Sequence, residues 1–226
     1  MRTPHFLIAL LLLTGCQGGY KVENGDWSLV RYNEGVGRMV TKIDGADQNS
    51  FQPIDKQYAK DNHRVYWETL VINGADPNTF VVLGSLYGKD KAKVFWRERE
   101  ITGADPATFQ IVDGANLWSR DKKDYYFAAE PLRVMDVPSF KIINSGWAKD
   151  SEAYYATPQF APGGKVDCDY SSMRILSEQY AVDKKRAYYG LTPIPGVDVK
   201  TFRVTGTITA RDAFKKYRGE REDWLK

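Results

Sequence analysis

Histidine and cysteine are scarce in this sequence of 226 residues, which contains two of each. His5 lies in an N-terminal segment that we predict to be removed, so His63 is the one histidine left in the mature chain. One histidine and so few thiols exclude a zinc cluster, a Ser-His-Asp triad and a Cys-His pair. We therefore predict that the protein is not an enzyme and that it binds no metal and no cofactor.

A strong net charge and long apolar runs are missing as well. The formal charge of +3 is too small to indicate a nucleic-acid partner. Because no apolar run follows the first 15 residues, the sequence predicts no later membrane segment. Carboxylates are plentiful, but only Asp167 and Asp169, beside an irregular loop, form a pair worth testing for acid-base catalysis.

The N-terminus has the pattern of a secretory signal. Arg2 precedes an apolar run at residues 6–13, which is too short to span a bilayer. The letters Leu-Thr-Gly-Cys that end at Cys16 resemble a bacterial lipobox, which implies cleavage before Cys16 and a palmitate-carrying lipid anchor on that residue. Gln17 resembles the type that is sorted to the outer membrane. An ordinary secreted protein with an incidental cysteine is the alternative.

We predict three segments: a lipoprotein signal peptide at 1–15, a lipid-anchored tether at 16–26 and a repeat domain at 27–226. A tether of this length reaches at most ~35 Å, so the domain would stay close to the membrane surface. The resemblance at Cys16 and Gln17 implies that this surface is the periplasmic face of the outer membrane. Trp27–Ile43 contains two strand-like runs and predicts a divergent capping hairpin. Arg211–Lys226 is rich in charge and predicts either a terminal repeat exposed to water or a short helix.

A ten-residue pattern returns along the chain with an aspartate at its centre. An aromatic residue stands three positions before the aspartate in five copies, and another stands five positions after it in all six. The aspartates are Asp61, Asp90, Asp121, Asp150, Asp183 and Asp212, at spacings of 29, 31, 29, 33 and 29 residues. A fixed period of this kind indicates a repeat architecture.

Each copy predicts a β-hairpin, because two runs rich in aromatic residues and valine flank a polar cluster. An aspartate that opens a type I turn accepts hydrogen bonds from the amides of the residues that follow it. This explains why aspartate occupies the same position in every copy. In the first copy this register places Tyr58 opposite Trp67.

A second motif precedes each hairpin aspartate by 14 residues, or by 16 in the third copy. Its aspartates are Asp47, Asp76, Asp105, Asp136, Asp169 and Asp198. Aspartate followed by proline, as in Asp76-Pro77, is typical of the first turn of a helix. We therefore predict an all-β fold of six repeats of about 30 residues, each a β-hairpin plus a one-turn helix, with divergent N- and C-terminal caps.

The period is broken at two places. Two extra residues fall within Asp113–Asn116 and four within Thr157–Gly164. In repeat proteins such insertions map to loops that often lie on the binding face. Gln159 and Phe160 are therefore predicted to bind a partner, with Phe160 as an apolar anchor; the alternative is that Phe160 plugs a gap between two repeats.

Lysine and arginine are frequent at the hairpin tips, which predicts a basic rim facing an acidic partner; solvated tips without a partner are the alternative. The rim residues are Arg64, Lys91, Lys93, Lys122, Lys123, Lys184, Lys185 and Arg186. The repeated aromatic residues predict core and cross-strand packing, with a sugar- or peptide-binding ladder as the alternative. Cys168 occupies a slot that is small or apolar in the other copies and predicts a buried, inert thiol.

Aspartate and lysine followed by paired aromatics, as in Asp121–Phe127 and Asp183–Tyr189, resemble the DKNYY family of bacterial repeat lipoproteins over residues 40–218. The resemblance implies an envelope protein without known catalytic residues. Similar lipoproteins are encoded beside secreted antibacterial effectors, which suggests an immunity protein that neutralises an effector such as a type VI secretion toxin. An envelope module that binds glycan or peptidoglycan through exposed aromatics is the alternative.

Overall fold

The computed structural model describes residues 18–84, 86–112, 117–157 and 163–223. These residues form many short antiparallel sheets and only two 3-10 helices, at Val137–Ser139 and Tyr170–Ser172. The prediction of an all-β, repeat-like fold is confirmed at this level. No helix in the described part of the chain is long and apolar enough to cross a membrane.

Every sheet is a meander of consecutive strands. The N-terminal sheet contains β1 (Gly19–Glu23), β2 (Asp26–Asn33) and β3 (Gly37–Lys42). Six four-stranded sheets follow within the described ranges. They are β4 (Gln52–Pro53), β5 (Tyr58–Lys60), β6 (Val65–Trp67) and β7 (Leu70–Val71); β8 (Val81–Gly84), β9 (Tyr87–Lys89), β10 (Val94–Trp96) and β11 (Arg99–Glu100); β12 (Gln110–Ile111), β13 (Trp118–Arg120), β14 (Tyr125–Phe127) and β15 (Glu130–Pro131); β16 (Lys141–Asn144), β17 (Trp147–Lys149), β18 (Tyr154–Ala156) and β19 (Gly164–Lys165); β20 (Arg174–Ile175), β21 (Tyr180–Val182), β22 (Ala187–Tyr189) and β23 (Thr192–Ile194); and β24 (Arg203–Gly206), β25 (Thr209–Arg211), β26 (Lys216–Arg218) and β27 (Arg221–Glu222).

The two central strands of each four-stranded sheet form a hairpin whose turn begins at a motif aspartate. In the first, Tyr58 pairs with Trp67, as predicted. The Asp61 amide donates to the Arg64 carbonyl at 2.9 Å and closes the turn, and the other five turns close in the same way. The aspartate therefore sits where a type I turn uses its side chain.

The segments after the second-motif aspartates are single turns. Two of them are the 3-10 helices that follow Asp136 and Asp169. The others are hydrogen-bonded turns at residues 48–50, 77–79, 106–108 and 199–201. Three residues separate the aspartate from the buried Phe or Met, so a single turn fits between them and a longer helix does not.

The N-terminal sheet begins earlier than the sequence predicts. Residues 19–23, which we assigned to the tether, form β1, and Gly19 pairs with Val30. The Tyr20 hydroxyl shares its one proton between two acceptors, the Gln57 carbonyl oxygen at 2.6 Å and the Glu68 carbonyl oxygen at 2.9 Å. The part of the predicted tether from Gly19 onward is therefore folded, while the predicted capping hairpin is observed as β2 and β3. At the other end, strands continue to Glu222, and residues 224–226 lie outside the described residues.

The chain divides into two compact units, Met1–Asn78 and Thr79–Lys226. Within each unit, apolar cores lie between successive sheets. Phe140 packs on Trp118 of the preceding sheet and on Tyr155 of its own sheet, with ring centroids 6.1 and 5.7 Å apart. Phe109 and Phe202 occupy equivalent positions. The second-motif phenylalanine thus joins neighbouring sheets.

Candidate functional site at the hairpin turns

The motif aspartates are buried carboxylates, all between 2% and 4% exposed. In the fourth turn, Asp150 Oδ1 accepts hydrogen bonds from the amides of Glu152 and Ala153 at 2.8 and 2.7 Å. Its Oδ2 accepts from the Tyr155 hydroxyl at 2.7 Å and from the Asp136 amide at 2.9 Å. A charge buried in this way is stable because its lone pairs are satisfied by fixed donors.

The same arrangement recurs in the other turns. Asp61, Asp121, Asp183 and Asp212 each accept from two turn amides, a tyrosine hydroxyl and a second-motif amide. In the second repeat Phe95 stands in the tyrosine position and has no hydroxyl to donate. The aromatic residue five positions after the aspartate is therefore a core residue that also holds the turn.

A hydroxyl side chain that sequence reasoning missed holds the next turn residue. Ser139 Oγ accepts from the Ser151 amide at 2.8 Å. The hydroxyls of Ser50, Thr79, Thr108, Ser172 and Thr201 accept equivalent bonds. The signal was present in the sequence, because a serine or threonine precedes the buried Phe or Met of all six second motifs.

Hydrogen bonding sets the ionisation of these groups. Burial would raise the pKa of Asp150, but bonds from the Tyr155 hydroxyl and from the Asp136, Glu152 and Ala153 amides outweigh it and hold this pKa below its usual range. The pKa values of Asp61, Asp121 and Asp183 are lowered in the same way, and that of Asp212 falls to about 2. Burial and the adjacent carboxylate raise the pKa of Tyr66 to about 12. At neutral pH each of these turns therefore contains an ionised carboxylate.

Hydrogen bonds connect turns of the second unit to the following repeat. The Lys89 ammonium group donates to the Pro106 carbonyl of the next repeat at 2.7 Å, and the Tyr170 hydroxyl donates to the Asp150 carbonyl at 2.8 Å. These bonds place the Asp90 and Asp150 turns beside the second motif of the next repeat. We call the two residues after each aspartate in this unit the turn edge. They are Lys91, Ala92, Lys122, Lys123, Ser151, Glu152, Lys184, Lys185, Ala213 and Phe214.

Acidic side chains partly neutralise the predicted basic rim. Lys93, Lys122, Lys184 and Arg186 form ion pairs with Glu100, Asp105, Asp169 and Asp167. Arg64, in the first unit, donates to the Gly45 carbonyl at 3.1 Å, and Lys91 is exposed. Glu152 interrupts the row of cations. Lys123 and Lys185 are exposed and make no ion pair with any described residue, so they present unpaired positive charge.

Phe214, which sequence reasoning did not single out, is 82% exposed on the last turn. Its amide donates to Asp212 Oδ1 at 2.7 Å, so the turn that presents it is fixed. The same position holds His63, Ala92, Lys123, Glu152 and Lys185 in the other turns. A large apolar side chain on a fixed turn is the kind of residue that anchors protein interfaces.

The residues considered for catalysis make local polar contacts. Asp169 caps the second 3-10 helix, and its ion pair with Lys184 holds its pKa well below the usual range. Asp167 is bound by Arg186, at 3.1 Å. Cys168 is half-buried beside an open cleft of about 460 Å³, and burial raises its pKa to about 11. The slot is thus less buried than predicted, and its thiol is protonated at neutral pH.

The described residues contain no cluster of three or more His, Cys, Asp or Glu side chains that would hold a metal ion. Packing accounts for the repeated aromatics, as predicted. Those before and after the turns are all buried: Tyr58, Tyr66, Tyr87, Phe95, Trp118, Tyr126, Trp147, Tyr155, Tyr180, Tyr188 and Tyr217.

Gln159, Phe160 and Cys16 lie outside the described residues, so these predictions stay predictions. Residues that adjoin the two breaks of the period do border one cleft, however. Leu117 and Thr157 line one cleft of about 260 Å³, together with Phe127, Gly146 and Glu178. Both irregularities therefore border the same part of the second unit.

The model of the DKNYY family matches the chain at residues 23–99 and 87–221, which together include nearly all of the described residues. No curated protein and no solved structure matches the chain.

Proposed function

We propose that this chain, which belongs to the DKNYY family, is a non-catalytic periplasmic lipoprotein that binds another protein. Cys16 carries the lipid, including palmitate, and holds the domain on the periplasmic face of the outer membrane. The partner is a secreted antibacterial effector, such as a type VI secretion toxin, which the chain neutralises as an immunity protein. Nucleic acid is not a partner in this proposal.

The proposed scaffold has six repeats of about 30 residues, each a hairpin with one helical turn, and a cap at each end. The six four-stranded sheets and the recurring aspartate turns support this division. Repeats of this kind present a row of equivalent turns, and the exposed turn residues then vary without disturbing the buried ones.

The fixed turn edge is the observation that carries the proposal. Lys185 and Phe214 lie on adjacent sheets, because Phe202 packs against Tyr180 of one and Tyr217 of the other. Positive charge on one sheet and an exposed aromatic ring on the next suit an acidic partner surface with an apolar pocket. Because the turns are held by buried hydrogen bonds, little conformational entropy is lost on binding.

A glycan-binding envelope module is the second candidate, and it has weaker support. Sugar recognition through aromatics needs exposed rings, whereas the repeated rings are buried. The observation in favour of this candidate is Tyr170, which is 36% exposed beside the cleft at Cys168, where its ring could stack on a sugar.

The test begins with capture of the partner by the acylated chain from envelope extract, with identification by mass spectrometry. We expect a toxin, and we expect cells that lack the chain to be sensitive to it. Phe214→Ala and Lys185→Glu should each weaken binding by about tenfold or more, which is about 1.4 kcal/mol. Both side chains are exposed, so the melting temperature should not change.

Lys141→Glu is the matched control, because Lys141 is an exposed cation on β16 and not on the turn edge. Its affinity should stay within about twofold of the original. Capture of glycan without a protein partner would favour the second candidate. A toxin that binds all three variants equally would remove the turn edge from the interface.

A further inference from the structure

We infer that the hairpin of β2 and β3 contacts the lipid bilayer through its tip, residues 32–39, and so forms a second membrane attachment beside the anchor. This inference rests on the proposed lipid at Cys16. It adds a defined surface and a defined orientation of the N-terminal sheet to that proposal.

The register of the N-terminal sheet places the chain start and the hairpin tip at the same end. Gly19 pairs with Val30, and a Cβ atom placed on Gly18 would lie 3.7 Å from the Arg31 Cα. Because β1 runs antiparallel to β2, its N-terminal end points toward Tyr32 and the tip. Cys16 is two residues before Gly18 and thus within ~7 Å of it. An acyl chain on Cys16 would therefore enter the membrane close to the tip.

The tip exposes apolar side chains and fixes their position. Val36 is 73% exposed, and Tyr32 and Met39 are each 42% exposed. The Asn33 side-chain oxygen accepts hydrogen bonds from the Gly35 and Val36 amides at 2.8 and 3.2 Å. The turn is therefore ordered while its apolar residues face outward. Tyrosine is a preferred residue at the membrane interface, and apolar side chains bury at the boundary between headgroups and acyl chains.

The charges near the tip favour apolar contact with lipid over charge attraction. Arg38 pairs with Glu23, and Arg31 pairs with Glu68. Glu34 lies at the tip itself and would stay among the headgroups. Because the two arginines are paired, the contact should not require anionic lipid.

The bilayer covers the tip in this proposal, because the short connection to Cys16 brings the tip to the membrane surface. All six residues of β3 are exposed, so this strand is also a free sheet edge. Arg38 and Lys42 on that edge disfavour pairing with a strand of a second copy, as charged residues commonly do on edge strands. The membrane covers the apolar tip without using the edge.

The experiment places an environment-sensitive nitrobenzoxadiazole dye on Val36→Cys in the full acylated chain. Cys168→Ala removes the competing thiol, and alanine fills the equivalent slot at Ala46, Ala75 and Ala104. The chain is reconstituted in vesicles of phosphatidylcholine and phosphatidylethanolamine. We expect the emission to rise about threefold or more and to be quenched by nitroxide-labelled lipid.

His63→Cys carries the control label. His63 lies in the Asp61 turn, at the far end of β5 and β6 from Gln57 and Glu68, which Tyr20 contacts. Its emission should match that in water. A label on Met39→Cys repeats the test with a second exposed residue, in case the Val36 variant fails to fold.

The outcomes separate this inference from the proposed anchor. If mass spectrometry finds acylated Cys16 and both tip labels remain water-like, the anchor stands and the tip contact is wrong. If Cys16 carries no acyl group, both are wrong. If the tip labels respond to protein concentration without lipid, a second copy covers the tip and the membrane contact is also overturned.

Discussion

Each described turn aspartate shows how one residue type both closes a turn and stabilises its surroundings. Its side chain accepts bonds from the two turn amides, and in five turns the second carboxylate oxygen also accepts from a tyrosine hydroxyl and a second-motif amide. Hydrogen bonds to a charged group stabilise a fold by roughly 1.5–3 kcal/mol, more than neutral ones. The aspartate therefore does more than form a turn, because its side chain also bonds to the core tyrosine and to the second motif.

Asp150→Asn tests this role. We expect the free energy of unfolding to fall by roughly 2–4 kcal/mol, because the amide nitrogen can accept no hydrogen bond and would face either the turn amides or the Asp136 amide. Urea unfolding followed by circular dichroism measures the change.

Tyr155→Phe is the matched comparison, since Phe95 already occupies this position in the second repeat. It removes the hydrogen bond that the Tyr155 hydroxyl donates to Asp150 and the one that it accepts from the Met135 amide. Because the Met135 amide also donates to Asp150 Oδ2, the change should cost only about 1 kcal/mol. A loss as large as that of Asp150→Asn would mean that the ring hydroxyl, and not the set of backbone donors, holds the carboxylate.

At this scale the sequence predicted the aspartate and its turn amides, and it placed Tyr58 opposite Trp67. These interactions are local, and local spacing encodes them. The serine and threonine acceptors were missed because each lies about a dozen residues before the amide that it holds. Phe214 was missed because a turn position carries no periodicity that reveals exposure.

At the scale of elements, the central hairpins were predictable and the outer strands were not. Strands such as Gln52–Pro53 and Leu70–Val71 contain two residues, which is too short for any alternation of apolar and polar letters. The sequence of β1 predicts a tether because it contains glycine and charged residues. The strand is held in place by Tyr20, which bonds to carbonyls 37 and 48 residues away, and local sequence does not reveal such partners. Pairing partners outside a segment decided these elements.

Close contact between neighbouring sheets gives the second prediction. A Cβ atom on Gly146 would lie 1.8 Å from the Glu178 carbonyl oxygen of the next repeat, and that oxygen belongs to backbone. Gly146→Ala must push the two sheets apart, so we expect a loss of about 3 kcal/mol or more in unfolding free energy.

Gly164→Ala is the control. Its nearest neighbour would be the Leu191 Cδ1 atom at 3.9 Å, which is ordinary contact. Neither glycine has a positive φ angle, so the two variants differ chiefly in space. We expect the control to change stability by less than about 1 kcal/mol. Similar losses for both would show that backbone flexibility, and not the approach of the sheets, explains the glycine.

At the scale of the whole molecule, the sequence predicts a repeat domain at 27–226. By compactness the structure divides into two units after Asn78, inside the second motif of the second repeat. The sequence does not mark this division, because Asp76–Phe80 is nearly identical to Asp105–Phe109. In a repeat protein each motif specifies contacts with its own sheet and with the adjacent sheet. The motif sequence can therefore stay the same at the point where one compact unit ends and the next begins.

The repeated carboxylates make acid stability a property of the whole molecule. Asp61, Asp121, Asp150, Asp183 and Asp212 all have folded pKa values below the ordinary value. A lowered folded pKa contributes stability that is present above the unfolded pKa, about 3.9 for aspartate, and is lost as the pH falls through the folded pKa. The melting temperature should therefore be steady from neutral pH to about pH 5 and should fall steeply below about pH 4.

Each such aspartate adds up to roughly 1.4 kcal/mol per pH unit to the slope, because the unfolded chain binds a proton that the folded chain does not. Thermal unfolding measured between pH 7 and pH 2 gives the slope for the original chain and for Asp150→Asn. The variant lacks one of these groups, so its unfolding free energy should be lower at neutral pH. Its decline with falling pH should also be less steep, because about one proton fewer is taken up on unfolding. Two curves that run parallel would show that Asp150 does not titrate with folding, and the hydrogen-bonded turns would then not be the source of the acid sensitivity.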